Sequence, residues 1–429
     1  MTMRTSRRVT VQWMAVLAAL SFVVGCTPPA SLSPTGVPST NARATSVPTV
    51  GVSISSTPIP SVVPTDTPNT SVVPSDAPAA TATPTDAPAA RPASDAQLAS
   101  RIDSFLAGLA AQDRFSGSVL IAKDGQVVLS EGYNLADREH GVPNTPQTIF
   151  RLGSVTKQFT ALAILQLQQM GKLDVQDPIC QYITGCPETW QPITIHHLLT
   201  HTSGIPNLTD LPSYLDFKKQ PATPAETIDQ FRELPLDFTP GEDWAYSNSG
   251  YIVLGAIIEA ASGEPYCDFV EKHIAQPLQM ASTGCESNRP ATADRAQGYA
   301  DSDTVADTID MSIPFSGGGL ISTVEDMYRW DQALYGTELL PQPLLDKLFM
   351  PMAQIPDPMG VAGAYGYGWI IGEQLDQPRI WHGGGIEGFR SEIDRYPDQH
   401  VTIIVLSNRE DLNPQDITSQ IAQMILENE

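Results

Sequence analysis

Apolar positions recur at helical spacing where the globular part of the chain begins. Between residues 95 and 112 the large apolar residues fall on one face, which is typical of an amphipathic helix. They are Leu98, Ile102, Phe105, Leu106 and Leu109. Two runs with strand character follow, Ser118–Lys123 and Gln126–Ser130, separated by Asp124-Gly125. Because Asp-Gly favours a two-residue turn, these runs predict a β-hairpin.

A second helical segment, Gln158 to Met170, is apolar around most of its circumference. Its large apolar residues are Phe159, Leu162, Ile164, Leu165, Leu167 and Met170. A helix of this kind is expected to be buried, and Gly171 is the type of residue that ends a helix.

Strand character returns only near the end of the chain, after a long stretch of helical segments and loops rich in proline and glycine. The four runs are Gly368–Ile371, Arg379–Trp381, Phe389–Tyr396 and Val401–Leu406. A last helix is predicted from the Asn413-Pro414 cap to about Leu426.

Strands at both ends of the chain, joined by short connections, predict an α/β (α+β) fold for residues 95–429. One antiparallel sheet would form from about 95–150 and 365–429, flanked by the N- and C-terminal helices. Residues of about 151–364 would form a mainly helical lobe. The cleft between sheet and lobe is then the natural place for a site.

The chain before residue 95 differs in character. Three arginines, Arg4, Arg7 and Arg8, precede an apolar run that is too short for a comfortable membrane span, so residues 1–26 read as an export signal. The signal ends in Val-Val-Gly-Cys26, which resembles the lipobox of bacterial lipoproteins. That resemblance implies a lipid on Cys26 and a place on the outer face of the cell membrane. The alternative is an ordinary secretory signal with an incidental cysteine.

Residues 27–94 are dominated by proline, serine, threonine and alanine, and a ten-residue repeat starts at Ser61. Such a composition cannot bury enough apolar surface to offset the entropy of ordering. We therefore expect a disordered stalk, semi-extended because of its prolines.

Charge and cysteine content narrow the classes of function. The formal net charge of -24 argues against electrostatic binding to nucleic acid or to an anionic surface. Four cysteines remain besides Cys26, and an exported chain can pair them as two disulfides, for which we favour Cys180–Cys186 and Cys267–Cys285. Since no Cys-x-x-Cys occurs, a thiolate zinc site is not expected, and nothing in the chain calls for a cofactor.

Candidate chemistry begins with Ser154 and Lys157, at the start of the buried helix. A spacing of three places both side chains on one helical face. A lysine amine at that distance can take the proton of a serine hydroxyl, and the free N–H groups of a helix N-terminus suit a developing oxyanion. The alternative is a helix N-cap serine followed by a surface lysine.

Two further motifs carry functional groups. Tyr246 and Asn248 form the only Tyr-x-Asn of the chain. A nearby lysine ammonium could lower the pKa of Tyr246 enough for it to act as a base or proton relay, and the Asn248 amide can both donate and accept. The alternative is an N-cap asparagine beside a packing tyrosine.

The other motif is His382-Gly383-Gly384-Gly385, at the end of a predicted strand. Glycines there permit close approach of a ligand or another backbone, and a free N–H can donate to an oxyanion. The alternative is a glycine-rich turn with a surface histidine.

In this order, the three motifs resemble those of the β-lactamase and penicillin-binding-protein superfamily, most closely its class C-like branch. Two flanking stretches, Ile195–Gly204 and Ser316–Thr323, also look like segments of that family. The resemblance covers the chain from about residue 96 to its end. It implies a serine hydrolase that acts through an acyl-enzyme.

Carried onto this chain, the resemblance makes Ser154 the acylated nucleophile, Lys157 its base or charge partner, and Tyr246 a carrier of protons. Asn248 would orient the substrate, with His382 and Gly384 on the strand that lines the site. The backbone N–H groups of Ser154 and Gly385 would form the oxyanion hole.

The strand motif departs from the family pattern. β-Lactamases of this branch carry Lys-Thr-Gly where this chain has His382-Gly383-Gly384, so the cation and the hydroxyl that hold a substrate carboxylate are both altered. Esterase-type members tolerate a histidine here. We therefore expect hydrolysis of a small-molecule or peptide substrate, of the esterase or D-amino-acid peptidase type. The alternatives are a true β-lactamase or DD-carboxypeptidase, and a non-catalytic surface lipoprotein.

Two other enzyme classes fit the sequence less well. His196, His197 and His201 invite a zinc hypothesis, but no glutamate follows His197 as a zincin requires. An α/β-hydrolase would need Gly-x-Ser-x-Gly, which is absent from the sequence. We expect no metal, and the default expectation for oligomeric state is a monomer.

Overall fold

The computed structural model describes residues 93–286, 294–356 and 363–427. The predicted export signal, the lipid-bearing Cys26 and all but the last two residues of the predicted stalk lie outside the described residues. The first helix begins at Ala93, two residues before the predicted start of the domain.

The strands, in chain order, are β1 (Gly117–Lys123), β2 (Gln126–Tyr133), β3 (Leu135–Asp137), β4 (Val142–Pro143), β5 (Phe150–Arg151), β6 (Gly284–Cys285), β7 (Leu320–Ser322), β8 (Ala353–Gln354), β9 (Ala364–Tyr365), β10 (Ile370–Gln374), β11 (Gln377–Ile386), β12 (Phe389–Tyr396) and β13 (Val401–Ser407). The helices are α1 (Ala93–Ala111), α2 (Thr156–Gln169), α3 (Ile195–Leu199), α4 (Tyr214–Phe217), α5 (Pro224–Asp229), α6 (Asn248–Ser262), α7 (Tyr266–Val270), α8 (Phe315–Gly318), α9 (Val324–Ala333), α10 (Gln342–Leu348) and α11 (Pro414–Leu426).

The main sheet has eight antiparallel strands in the order β2-β1-β13-β12-β11-β10-β9-β8. Strands from the two ends of the described chain meet inside it, where β1 pairs with β13 from Gly117↔Ser407 to Lys123↔Val401. The predicted mixed fold with one antiparallel sheet built from both ends is therefore confirmed.

Local sequence explains the turn between β1 and β2 and the start of α11. Asp124 and Gly125 both have positive φ, at 51° and 70°, as a two-residue turn between β1 and β2 requires. At the other end of the chain, Asn413 caps α11 by accepting from the Gln415 N–H, and Pro414 takes the first helical position.

The sheet separates two apolar layers. On one face, α1 and α11 pack over β1, β2, β12 and β13, with Ile102, Leu106, Ile417 and Ile421 buried there. On the other face, the larger core contains α2, which is buried from Thr156 to Leu167, and the helices around it. As the sequence pattern predicts, α2 is buried on all sides and ends before Gly171, whose φ is 67°.

Two details differ from the sequence-based expectation. The predicted helical lobe also contains strands β6 to β9, each two or three residues long, and runs that short show no periodicity in a sequence. Strand β11 continues to Ile386, so His382 to Gly385 lie inside the strand rather than at its end.

The described part of the chain contains two disulfide bonds. Cys180 bonds to Cys186, and Cys267 bonds to Cys285, which are the two pairings that the sequence favours. Within the described ranges, the helices are all too short or too polar to cross a membrane.

Candidate active site

Ser154 lies in a 3-10 turn, Gly153–Val155, that leads directly into α2. Gly153 has a φ of 52°, and a Cβ there would come within 2.9 Å of the Gly385 nitrogen. A glycine at 153 therefore lets the turn approach β11 closely. The helix cap is Val155, without a side-chain hydrogen bond, so the N-cap interpretation of Ser154 is wrong.

Lys157 reaches back along the first turn of α2 toward Ser154. Its Nζ lies 3.1 Å from Ser154 Oγ, 2.8 Å from Asn248 Oδ1 and 2.8 Å from the Gly317 carbonyl oxygen. The side chain is fully buried, so it is not the surface lysine of the alternative interpretation. Burial lowers the pKa of Lys157 well below its ordinary value. A neutral amine has a lone pair that can accept the Ser154 proton.

Tyr246 packs against this pair from the loop before α6. Lys157 Nζ lies 4.8 Å from the centroid of its ring. Although the side chain keeps some exposed surface, desolvation raises the pKa of Tyr246, and a hydrogen bond with Ser154 only partly offsets it. The expectation that a lysine ammonium lowers this pKa is wrong, because the buried lysine itself favours the neutral form. Tyr246 is therefore a protonated phenol that can relay a proton.

The ring of His201 packs against the ring of Tyr246, a role that sequence reasoning missed. Its ring centroid lies 4.4 Å from that of Tyr246 and 4.5 Å from that of Tyr365. The Ser247 N–H donates to His201 Nδ1 at 3.1 Å, so the ring proton lies on Nε2. Burial lowers the pKa of His201 well below its usual range. The available signal was its position in the family-like stretch Ile195–Gly204.

The other two histidines of that stretch have separate partners. His196 Nδ1 pairs with the Tyr367 hydroxyl at 2.8 Å, and His197 Nδ1 accepts from the Thr194 N–H at the start of α3. Over the described ranges, no group of three or more His, Cys, Asp or Glu side chains is placed to hold a metal ion.

Asn248 is the first residue of α6 and is held from both sides. The cap of α6 is Ser247, which accepts from the Gly250 N–H, so the N-cap interpretation of Asn248 is also wrong. Besides accepting from Lys157, the Asn248 amide donates to Thr209 Oγ1 at 3.4 Å, and its backbone N–H donates to Asn207 Oδ1 at 2.9 Å.

His382 is buried in β11 and cannot supply a cation. Its Nδ1–H donates to the Gly383 carbonyl oxygen at 2.6 Å, and the Tyr365 hydroxyl donates to its Nε2 at 2.9 Å, which together define one neutral tautomer. Burial lowers the pKa of His382 to about 3, and Lys157 in its charged form acts in the same direction.

Gly384 lies against the turn that carries the serine. A Cβ at 384 would collide with the Leu152 carbonyl oxygen and with Ser391 Oγ. Neither His382 nor Gly384 belongs to the lining of the cavity beside Ser154. The lack of a side chain at Gly384 thus lets β11 pack against the Ser154 turn. His382, on the same strand, lies 6.3 Å from Tyr246 between ring centroids, and contact of either residue with a substrate stays a prediction.

Gly385 is placed to donate its backbone N–H into the site. Strand β10 pairs with β11 only as far as Trp381, so the following residues have no strand partner on that side. Alternation along an antiparallel pair directs the Gly385 N–H to this free side and not toward β12. The N–H of Ser154, in the first helical turn, is the second donor that lacks an intrahelical acceptor.

A cavity of about 350 Å³ opens beside these groups, and we call it the catalytic cavity. Ser154, Asn248 and Gly385 line it together with Thr209 and a set of aliphatic side chains. The aliphatic members are Leu208, Ile252, Ile309, Ile313 and Ile386. The lining thus joins a nucleophile and hydrogen-bonding groups to an apolar wall.

The fold and this constellation define a serine hydrolase of the β-lactamase-related type, and comparison with known proteins agrees. The chain belongs to the Beta-lactamase family, whose model matches residues 74–424. Penicillin-binding protein 4* of Bacillus subtilis (strain 168) is 31% identical over 327 residues, which cover 71% of this chain and 70% of that protein.

Two further relatives show the range of the family. Esterase EstB of Burkholderia gladioli is 34% identical over 215 residues, covering 46% of this chain and 53% of that protein. The solved structure of the octameric penicillin-binding protein homologue from Pyrococcus abyssi is 30% identical, with a TM-score of 0.69, covering 76% of this chain and 77% of that chain.

Removal of the Tyr246 hydroxyl tests its role as a proton relay. We expect Tyr246→Phe to lower kcat by about 10²- to 10³-fold, within the range for loss of a general acid–base group, because the ring still packs on His201. The measurement is kcat and KM on a 4-nitrophenyl ester. The matched control is Tyr214→Phe, on α4 at the edge of the cavity, which should leave kcat within about threefold since no proton passes through it. A Tyr246→Phe variant with near-normal kcat would contradict the relay.

Proposed function

We propose that this protein is an extracytoplasmic serine hydrolase that cleaves an ester or peptide bond through an acyl-enzyme. The observation that carries the proposal is the 3.1 Å contact between Ser154 Oγ and a buried Lys157 whose pKa is lowered. A serine next to a neutral amine can lose its proton as it attacks a carbonyl carbon.

Acylation follows from the positions of these groups. The Ser154 proton passes to Lys157 Nζ while Oγ bonds to the substrate carbonyl carbon, and the N–H groups of Ser154 and Gly385 stabilise the oxyanion. As the intermediate collapses, the leaving alcohol or amine takes the proton from Lys157, with the Tyr246 hydroxyl as relay. The acyl group remains on Ser154.

Deacylation repeats the same steps with water. Water attacks the acyl carbon, its proton returns through Lys157 and Tyr246 to Ser154 Oγ, and the carboxylic acid leaves. Asn248 serves both stages, because its Oδ1 fixes Lys157 and its amide faces the cavity.

The altered strand motif favours esters and peptides over β-lactams. His382 is neutral and buried, so it offers no cation to a substrate carboxylate. At position 383, where the family has threonine, a Cβ would lie 2.6 Å from Glu392 Oε2, so the side chain of Glu392 fills the space of the missing hydroxyl. Glu392 is itself buried and bonded to Arg379, which holds it in place.

A substrate panel tests this proposal. The protein is assayed with a short-chain 4-nitrophenyl ester, a D-Ala-D-Ala peptide and a chromogenic cephalosporin, with Ser154→Ala as the control. We expect the ester or the peptide to be turned over at least about tenfold faster than the cephalosporin. A preference for the cephalosporin would favour the β-lactamase alternative, and failure on all three would refute the proposal.

The cellular location is part of the same proposal and rests on residues 1–26. Cleavage before Cys26 and its lipidation would anchor the enzyme to the outer face of the membrane, with the proline-rich segment as a spacer. We expect wild-type protein to take up labelled fatty acid and Cys26→Ser not to; equal labelling of both would contradict the anchor.

A further inference from the structure

Arg390, at the start of β12, belongs to the lining of two neighbouring cavities. One is the catalytic cavity beside Ser154, and the other, of about 520 Å³, we call the outer cavity. The two cavities share Glu387, Arg390 and Glu410 in their linings. A substrate bound at Ser154 that extends toward the outer cavity therefore passes Arg390.

The guanidinium is held beside the strand that carries the oxyanion donor. Arg390 pairs with Gly385 across β11 and β12, and a Cβ at 385 would lie 2.9 Å from Arg390 Nη1 and 3.3 Å from Cζ. The absence of a side chain at 385 thus leaves the space that the guanidinium occupies. Its Nη1 donates to the carbonyl oxygen of Phe389 at 3.2 Å, which leaves most of its five donors for other partners.

Nearby cations already have carboxylate partners. Lys218 pairs with Glu387 at 2.6 Å, and Arg151 pairs with Glu286 at 2.6 Å. In the part of the chain that the structure describes, the only hydrogen bond of the Arg390 side chain is the one to Phe389, and no carboxylate pairs with it. Arg390 is thus a cation in the cavity wall that can pair with an anionic ligand.

We propose that Arg390 binds a carboxylate of the substrate, and this inference rests on the proposed function. The planar guanidinium presents parallel N–H donors that match the two oxygens of a carboxylate. Arg390 lies opposite Gly385 on the next strand, so it offers its charge at a different place from the strand cation that the family has at position 382. The substrate class is then an ester or peptide that carries a carboxylate near the bond that is cleaved.

Two carboxylates of the protein share the cavity wall and shape this preference. Glu387 pairs with Lys218, whereas among the described residues the Glu410 carboxylate accepts one hydrogen bond, from the Gly388 N–H at 3.1 Å, and has no cation partner. Removing the Glu410 charge should therefore strengthen carboxylate binding, and removing the Arg390 charge should weaken it. Variants at these two positions are expected to act in opposite directions.

Matched substrates isolate the charge. On the acyl side, 4-nitrophenyl hydrogen succinate is compared with its methyl ester. On the leaving side, acetyl-D-Ala-D-Ala is compared with its C-terminal amide. We expect Arg390→Gln to lower the ratio of kcat/KM, charged over uncharged, by about 10- to 100-fold in one pair, as for loss of a charged hydrogen bond. Arg390→Lys should keep part of the preference, and Glu410→Gln should raise it a few-fold.

The control is Arg114→Gln, an exposed arginine outside both cavities, which should leave the ratio unchanged. The pair whose ratio falls identifies the side of the substrate that bears the carboxylate. A ratio unchanged by Arg390→Gln in both pairs would overturn the inference. If wild-type enzyme cleaves none of the four compounds, the proposed function fails, and calorimetric titration of wild type and Arg390→Gln with acetyl-D-Ala-D-Ala and its amide still decides the role of Arg390.

Discussion

Ser154→Ala abolishes covalent labelling by a fluorophosphonate and lowers ester turnover by at least about 10³-fold, because the bond to the acyl group forms at Ser154 Oγ. The expected observation is an intact mass that does not increase, where wild-type protein gains one adduct. Loss of Oγ removes no helix cap, since Val155 caps α2 without a side-chain bond. We therefore expect the midpoint of thermal unfolding to stay within a few degrees of wild type.

A matched serine makes this result specific. Ser213→Ala removes an exposed hydroxyl just before α4 that makes no side-chain cap, and it should label like wild type. An adduct on Ser154→Ala, with turnover retained, would mean that another residue is the nucleophile and would refute the mechanism.

Lys157→Met lowers kcat/KM by about 10²- to 10⁴-fold, the range for loss of a general base. Methionine keeps a flexible chain of similar length but has no lone pair of comparable basicity. Lys157→Arg should be as inactive, since a guanidinium stays charged and cannot accept the Ser154 proton. Measurement of kcat/KM for the three proteins on one ester separates loss of the base from loss of the charge, and an active arginine variant would show that only the charge matters.

The lowered pKa of Lys157 also predicts a pH dependence. In wild type, kcat/KM should rise with pH through the folded-state pKa of Lys157, which lies well below 10.5, because only the neutral amine is a base. Between that folded value and about 10.4, the unfolded state binds the extra proton, so the free energy of unfolding should rise with pH by up to about 1.4 kcal/mol per unit.

Urea denaturation at several pH values measures this linkage directly. Lys157→Met should lack this contribution to the slope, and the difference between the two proteins isolates Lys157 from the other titrating groups. Equal slopes would show that the lysine keeps its ordinary pKa in the folded protein and is therefore charged near neutral pH.

Regular sequence patterns predict most of the framework. Helix α2 is buried all round because its apolar residues surround it, and the hairpin of β1 and β2 turns where Asp124-Gly125 permits positive φ. The same reasoning did not predict the irregular parts of the fold. Strand β11 extends past the predicted Arg379–Trp381 to Ile386, because Gly383–Gly385 is paired residue by residue with β12, and the alternative of a glycine-rich turn is wrong.

Local sequence alternatives were decided by contacts between distant residues. Ser154 and Asn248 are both residue types that favour N-cap positions, and neither is an N-cap, because the side-chain oxygens of both are bound by Lys157 instead. The pKa expected for Tyr246 from the sequence was too low. That expectation placed a charged lysine beside the tyrosine, and a sequence does not show that both side chains are buried. His201 was considered only as a metal ligand, since its packing on Tyr246 depends on a fold that brings α3 and α6 together.

The amino-acid sequence alone establishes which groups are present and in what order: a serine three residues before a lysine, a Tyr-x-Asn, and a glycine-rich run with histidine in place of lysine. Periodicity determined that the serine precedes a buried helix, since a helix repeats its faces every few residues. The pKa shifts of Lys157, Tyr246 and His382 depend on the folded chain, because desolvation comes from neighbours that are far apart in the sequence. Strand pairing in the folded chain also places Arg390 beside β11, the strand that carries the oxyanion donor Gly385. Unlike helical spacing, β-strand pairing joins residues that no local sequence pattern connects.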